Sequence, residues 1–236
     1  MSRIHSAGSA IHVRAQTSLL ANTERRLLVW IAGRLPRVVN ADHLSALGLS
    51  AMAGAGFSFG LFRYTPRLAA AGVVMALSAN WFGDSLDGTV ARVRHQQRPR
   101  YGYYVDHVID DAGTTTLFAG LALSPLMHPV MALAVLSAYL LVSSESYLAT
   151  NATGVFRMSF LGWGPTELRL LLIAGAIKAA SSPVVDIAAL GRVRLFDVGG
   201  VAALGGLLIA FAVSAIRTTR ALYIAERIPV DTPRAA

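Results

Sequence analysis

Apolar residues gather into six long runs along the chain, at about 43–62, 68–90, 101–125, 128–150, 166–185 and 196–222. Each is close to the roughly 20 residues that cross a bilayer as a helix. Polar and basic residues fill the short stretches between them, so the pattern predicts six transmembrane helices. The second and third runs are less apolar than the others because they carry a cluster of aspartates. Ahead of the first run, "LLANTERRLLVWIAGRLPRVV" (19–39) mixes Leu27, Leu28, Trp30 and Ile31 with Arg25, Arg26, Arg34 and Arg37. That mixture predicts an amphipathic helix lying in the membrane interface and ended by Pro36.

Composition agrees with the pattern. Of the 236 residues, 54% are hydrophobic and only 14% charged, against about a quarter charged in a soluble domain. Mean hydropathy is +0.53. The expected class is an all-α integral membrane protein: residues 1–40 as a cytoplasmic segment with the amphipathic helix, 41–225 as a six-helix membrane domain, and 226–236 as a cytoplasmic tail. The N-terminal stretch lacks the apolar core of a signal peptide, so the first span is expected to act as the insertion signal. With no cysteine, disulfides, thiolate metal sites and cysteine nucleophiles are excluded.

A net charge of +8 raises the question of nucleic acid, and the placement of the charge answers it. Most arginines sit in short loops beside apolar runs, which is the signature of topology and of contact with anionic lipid. Sixteen basic residues fall on the side holding both termini and the 92–100 and 151–165 loops, against five on the other. That asymmetry predicts cytoplasmic termini, in the inner membrane if the source is bacterial, and no nucleic-acid partner.

The 92–100 loop joins the two acidic helices, so the aspartates face the cytoplasmic leaflet. Asp84 and Asp87 are three apart, with Gly88 and Ala91 continuing their face; Gly102, Asp106 and Asp110 recur every four residues. Two helices joined by a short loop are expected to be antiparallel neighbours whose small residues let backbones or a ligand approach. A charged Asp inside a membrane helix costs several kcal/mol unless paired, hydrated or bound to a cation. Four together repel, which makes a divalent cation the natural partner, and an all-oxygen donor set favours Mg²⁺, Mn²⁺ or Ca²⁺ over zinc. A hydrated helix end with accidental spacing explains the cluster less well, because both helices carry matching small-residue registers.

At this point the sequence resembles a known family. Asp84-x2-Asp87-Gly88-x2-Ala91-Arg92-x9-Gly102-x3-Asp106-x3-Asp110 is similar to the complete signature of the CDP-alcohol phosphotransferases. The resemblance implies transfer of a substituted phosphate from a CDP-linked donor, CDP-diacylglycerol or another CDP-alcohol, to an alcohol acceptor with release of CMP. It also implies two divalent ions, Mg²⁺ or Mn²⁺, ligated by Asp84, Asp87, Asp106 and Asp110, with Asp110 as the catalytic base. Gly88, Ala91 and Gly102 match positions where the nucleotide lies close to the helices, and Arg92 matches an arginine that pairs with donor phosphates. Family members pair as homodimers, and the same is expected here.

The acceptor is less defined. In "GWGPTELRLLL" (162–172) Pro165 and Glu167 suit a helix start, yet the segment is also similar to one in members that use aminoalcohols. Arg157 and Arg169 suit a phosphorylated acceptor instead. Glu145 is either a functional intramembrane carboxylate or one satisfied internally by Ser143, Ser144 or Tyr147. His107 reads as a hydrogen-bonded packing residue, Asn80 as a support for Asp84 from one turn away, and Asp111 as peripheral. From another class, a cation transporter using the aspartates as an ion site is the main alternative. It is disfavoured because the acids collect at one end of the spans, where a transport path needs polar groups through the midplane.

Overall fold

The computed structural model describes residues 21–154, 165–187 and 191–226. Seven helices run in chain order among them: α1 Ala21–Arg34, α2 Ala41–Gly60, α3 Pro66–Val93, α4 Pro99–Leu123, α5 Pro129–Thr153, α6 Pro165–Ser181 and α7 Leu195–Ala225. The last six coincide with the six apolar runs to within a few residues. Three stretches, Ala41–Arg63, Pro129–Thr153 and Leu195–Ala225, are long and apolar enough to cross a membrane. Helix α6 is only 17 residues long, and α3 and α4 carry the polar cluster. Between α6 and α7, where the sequence reads as a plain loop, lies a short antiparallel hairpin pairing β1 (Val184–Ile187) with β2 (Gly191–Arg194).

Local chemistry sets the helix ends. Proline opens α3, α4, α5 and α6, at the position where a missing N–H costs nothing and the fixed φ suits a helix. Asn40 caps α2: its side chain accepts from the His43 N–H, and His43 returns the bond to the Asn40 N–H. Gly154 closes α5 at φ 70°, a left-handed conformation that glycine adopts without a Cβ clash.

Helix α2 is the central element. It packs on α3 along one side and on α4 along the other, α6 lies against α3, and α5 bridges α4 to α7. The approach is close because glycines face backbone. A Cβ on Gly120 of α4 would sit 1.9 Å from the Gly56 carbonyl oxygen, and one on Gly56 would sit 2.3 Å from the Thr116 carbonyl oxygen. On the other side a Cβ on Gly83 of α3 would meet the Leu44 carbonyl at 2.5 Å. Small residues permit this proximity between helices, and dispersion contacts and backbone complementarity then hold them.

Two apolar clusters flank this spine. The larger, with Phe59, Leu77, Leu117, Leu121, Leu126 and Phe196, lies toward the C-terminal end of α2. Phe59 stands edge-on to Phe196 there, with ring centres 5.5 Å apart. The smaller joins Leu28 and Ala32 of α1 to Leu44, Leu86 and Val90 at the opposite end. The α1 helix ends before Pro36 as its sequence predicts; one face is buried in that cluster, while Leu27, Val29 and Trp30 are exposed. Arg94 fastens the α1–α2 connection to the end of α3, donating to the backbone carbonyls of Val39, Leu35 and Pro36.

One expectation needs correcting. Helices α3 and α4 are consecutive and antiparallel, yet they scarcely touch, because α2 lies between them. Their aspartates therefore meet across a cleft floored by α2 rather than at a packed helix pair.

The glycine contacts lead to a stability difference. Gly120→Ala is expected to destabilise the protein by about 2 kcal/mol or more, since the backbone it meets cannot rotate away. Gly205→Ala, with nothing within 4 Å of its Cβ, is expected to be neutral or to gain up to about 1 kcal/mol of helix propensity. Thermal unfolding of both variants in one detergent tests the contrast; equal melting temperatures would show that α2 and α4 are not in close contact.

Candidate active site

Asp84 comes from α3; Asp106 and Asp110 come from α4, one turn apart. Each presents a carboxylate oxygen, all three within 4.8 Å of one another. At an effective dielectric constant of about 20, unit charges roughly 5 Å apart repel by about 3 kcal/mol per pair. These carboxylates are half-buried, so water only partly screens them, and the arrangement requires positive charge nearby.

Arg169 of α6 supplies part of it. Its Nη2 donates to Asp84 Oδ2 at 2.6 Å and its Nε to Asn80 Oδ1 at 2.7 Å. Asn80 is buried, and its own amide nitrogen donates to the Gly48 carbonyl of α2 at 3.0 Å. That second bond fixes the amide so that its oxygen faces the guanidinium. Asn80 thus supports Asp84 as its one-turn spacing suggests, by aiming the arginine that grips it.

Asp87 faces differently from the other three. It accepts from Ser45 Oγ of α2 at 2.7 Å and from the Gly88 N–H, which places it on the α2 floor of the cleft. Of the residues expected beside the nucleotide, Gly102 borders open space: a Cβ there would meet nothing within 4 Å, whereas one on Gly88 would meet the Arg92 guanidinium at 3.2 Å. Arg92 folds back over Gly88, with Nη2 donating to Thr89 Oγ1 at 3.0 Å. Ala91 lines an open hollow of about 440 Å³ with Asn40, Ala41, Asp42, Gln96, Gln97 and Arg98. At Gly102 the small residue faces open space rather than a neighbouring helix.

The flanking residues sort as follows. His107 is buried, its Nδ1 2.6 Å from the Tyr103 carbonyl oxygen and its ring between Tyr103 and Tyr147. A carbonyl only accepts, so Nδ1 carries the proton and the ring is held as a packing element. Asp111 turns to the other side of α4, where the Tyr147 hydroxyl donates to it at 3.3 Å. Glu145 accepts from Thr218 of α7 at 3.3 Å, an internal partner other than its sequence neighbours. Glu167 lies in the first turn of α6, two positions before Arg169, the α6 residue that reaches the cluster; Arg157 falls outside the described residues.

Several contributors have no signature in the sequence. Ser45 stands 42 positions from Asp87, and Arg98 pairs with Asp42 across the mouth of the cleft. A serine in an apolar run and an arginine in a basic loop look ordinary until the helices are assembled.

The donor set matches one ligand class. Three converging carboxylates, with a fourth a turn away and no sulfur or imidazole ligand among the grouped residues, suit a hard divalent cation.

Comparison with known proteins bears on this arrangement. The fold resembles the crystal structure of Mycobacterium tuberculosis phosphatidylinositol phosphate synthase (PgsA1) with CDP-DAG bound, with a TM-score of 0.54 and 21% identity over 89% of this chain and 99% of that one. A second structure of that synthase, in complex with manganese and citrate, gives a TM-score of 0.54 and 20% identity over 89% of this chain and 93% of the other. No match was found among curated proteins. The family model for CDP-alcohol phosphatidyltransferases matches residues 41–213, from the start of α2 well into α7, and so takes in both aspartate helices and the cleft between them. The transporter alternative has no comparable support. The chain belongs to the CDP-alcohol phosphatidyltransferase family and, by that membership, is a CDP-alcohol phosphotransferase.

Proposed function

We propose that the chain is a phospholipid synthase that transfers a substituted phosphate from CDP-diacylglycerol to an alcohol and releases CMP. The observation that carries this reading is the convergence of Asp84, Asp106 and Asp110 within 4.8 Å. The solved relative with CDP-DAG bound and its manganese complex support the choice of donor and of a divalent ion.

In this reading Asp84, Asp87, Asp106 and Asp110 hold two divalent ions, Mg²⁺ or Mn²⁺, which when bound neutralise the donor diphosphate and the departing CMP. Positioning and charge stabilisation supply most of the rate, as in other phosphoryl transfers. Gly88, Ala91 and Gly102 leave room for the nucleotide along both helices, and Arg92 swings from Thr89 to pair with a donor phosphate. The acceptor oxygen forms its bond to the donor's second phosphorus, the bond from that phosphorus to the CMP oxygen breaks, and Asp110 takes the hydroxyl proton. Glu167 on α6 is a candidate acceptor contact, as is Arg157 by its place in the sequence, and Glu145 joins α5 to α7 through Thr218.

The same reading assigns the membrane arrangement. Helices α2 to α7 are the six spans, α1 lies in the interface with Leu27, Val29 and Trp30 toward lipid, and the cleft opens to the cytoplasm. A homodimer is the expected assembly.

Purified protein given labelled CDP-diacylglycerol and a panel of alcohols is expected to release CMP only with Mg²⁺ or Mn²⁺. Asp106→Asn and Asp110→Asn are each expected to lower turnover at least about 100-fold. Metal-independent release, or full activity in both variants, would overturn the mechanism.

Because the chain has no cysteine, introduced ones report topology directly. In intact cells a membrane-impermeant thiol reagent is expected to label Arg192→Cys in the β2 strand and to spare Gln96→Cys in the α3–α4 turn. The reverse pattern would invert the assigned orientation.

A further inference from the structure

We propose that Arg169 is the resident counter-charge of the carboxylate cluster and competes with divalent metal for Asp84. The inference rests on the cluster being a metal site and adds a residue that sets how tightly that site binds. Arg169 reaches the cluster from α6, outside the α3–α4 signature, and its side chain is only 13% exposed. Its position is fixed independently of any ion. The Nε bond to Asn80 and the Asn80 bond to the Gly48 carbonyl use only neutral partners, which neither an ion nor a substrate needs to displace.

Two consequences follow from the charges. Without metal, the guanidinium offsets part of the repulsion among Asp84, Asp106 and Asp110, which keeps the three helices together around an otherwise anionic space. With metal, the same guanidinium occupies Asp84 Oδ2 at 2.6 Å and places a positive charge beside the incoming dication. Affinity for the bare ion is thereby lowered, and a donor diphosphate restores the favourable balance by adding negative charge. Arg169 therefore acts through Asp84 and is a positioning residue rather than a catalytic one. The requirement is a cation on that carboxylate, with a planar fork to span Asn80 and Asp84 at once, which lysine cannot reproduce.

The test is Mn²⁺ binding to the purified full chain in nanodiscs without nucleotide, followed by the electron paramagnetic resonance of free Mn²⁺. Arg169→Gln is expected to bind Mn²⁺ about 10-fold more tightly than the parent and to melt at a lower temperature when metal-free. Arg169→Lys is expected to fall between them. Arg192→Gln, the same charge change at a side chain 76% exposed in the hairpin, is expected to match the parent. Equal or weaker binding by Arg169→Gln would overturn the proposal, since removing a cation that competes for Asp84 has to tighten binding there. If that variant does not fold, Arg169→Lys decides alone, and parental affinity there overturns it. Failure of the parent to bind Mn²⁺ at all would remove both this proposal and the metal-site reading; binding by the parent without tightening in the variants removes only this one.

Discussion

The contact of α2 with α3 on one side and α4 on the other is the constraint on which the rest of the molecule depends. Gly83 meets the backbone near Leu44, while Gly56 and Gly120 meet each other's backbone, so neither flanking helix can shift without a clash or a gap. Held this way, α3 and α4 diverge enough to leave a cleft and converge enough for their aspartates to face each other across it. Ser45 and Gly48 then add polar contacts from the floor, to Asp87 and Asn80. A bundle in which α3 packed directly on α4 would bury Gly88 and Gly102 between the two helices.

Electrostatics act against this assembly as much as packing favours it. Three carboxylates within 4.8 Å repel one another to the extent that they are ionised, and the apolar contacts at the far end of α2 hold the helices against that repulsion. Arg169 reduces the strain from the α6 side, and the Arg98–Asp42 pair and the Arg94 clamp secure the mouth. Function and stability oppose each other here: carboxylates that repel one another are costly to gather, and the same concentration of negative charge is what a hard cation would require.

Much of this was legible in the residues themselves. The apolar runs matched α2 to α7 because side chains facing lipid or a helix core leave an unbroken hydropathy signal. The aspartate spacing, three on one helix and four on the other, put the carboxylates on defined faces whatever the fold. The small hairpin between α6 and α7 leaves no periodic signal, since its strands are only four residues long. The partner of Glu145 has none either, because Thr218 lies 73 residues away.

By itself, then, the sequence determined the helices, the positions on them that carry carboxylates and the class of ligand such oxygens suit, because each follows from residues within a turn or two of one another. Tertiary structure decided what lies between the helices. It set α2 between α3 and α4, turned Asp87 toward Ser45, and brought Arg169 onto Asp84 across 85 positions of chain. Such pairings depend on which helix faces approach in space, and that is settled by glycine-to-backbone contacts and buried volume that no local spacing encodes.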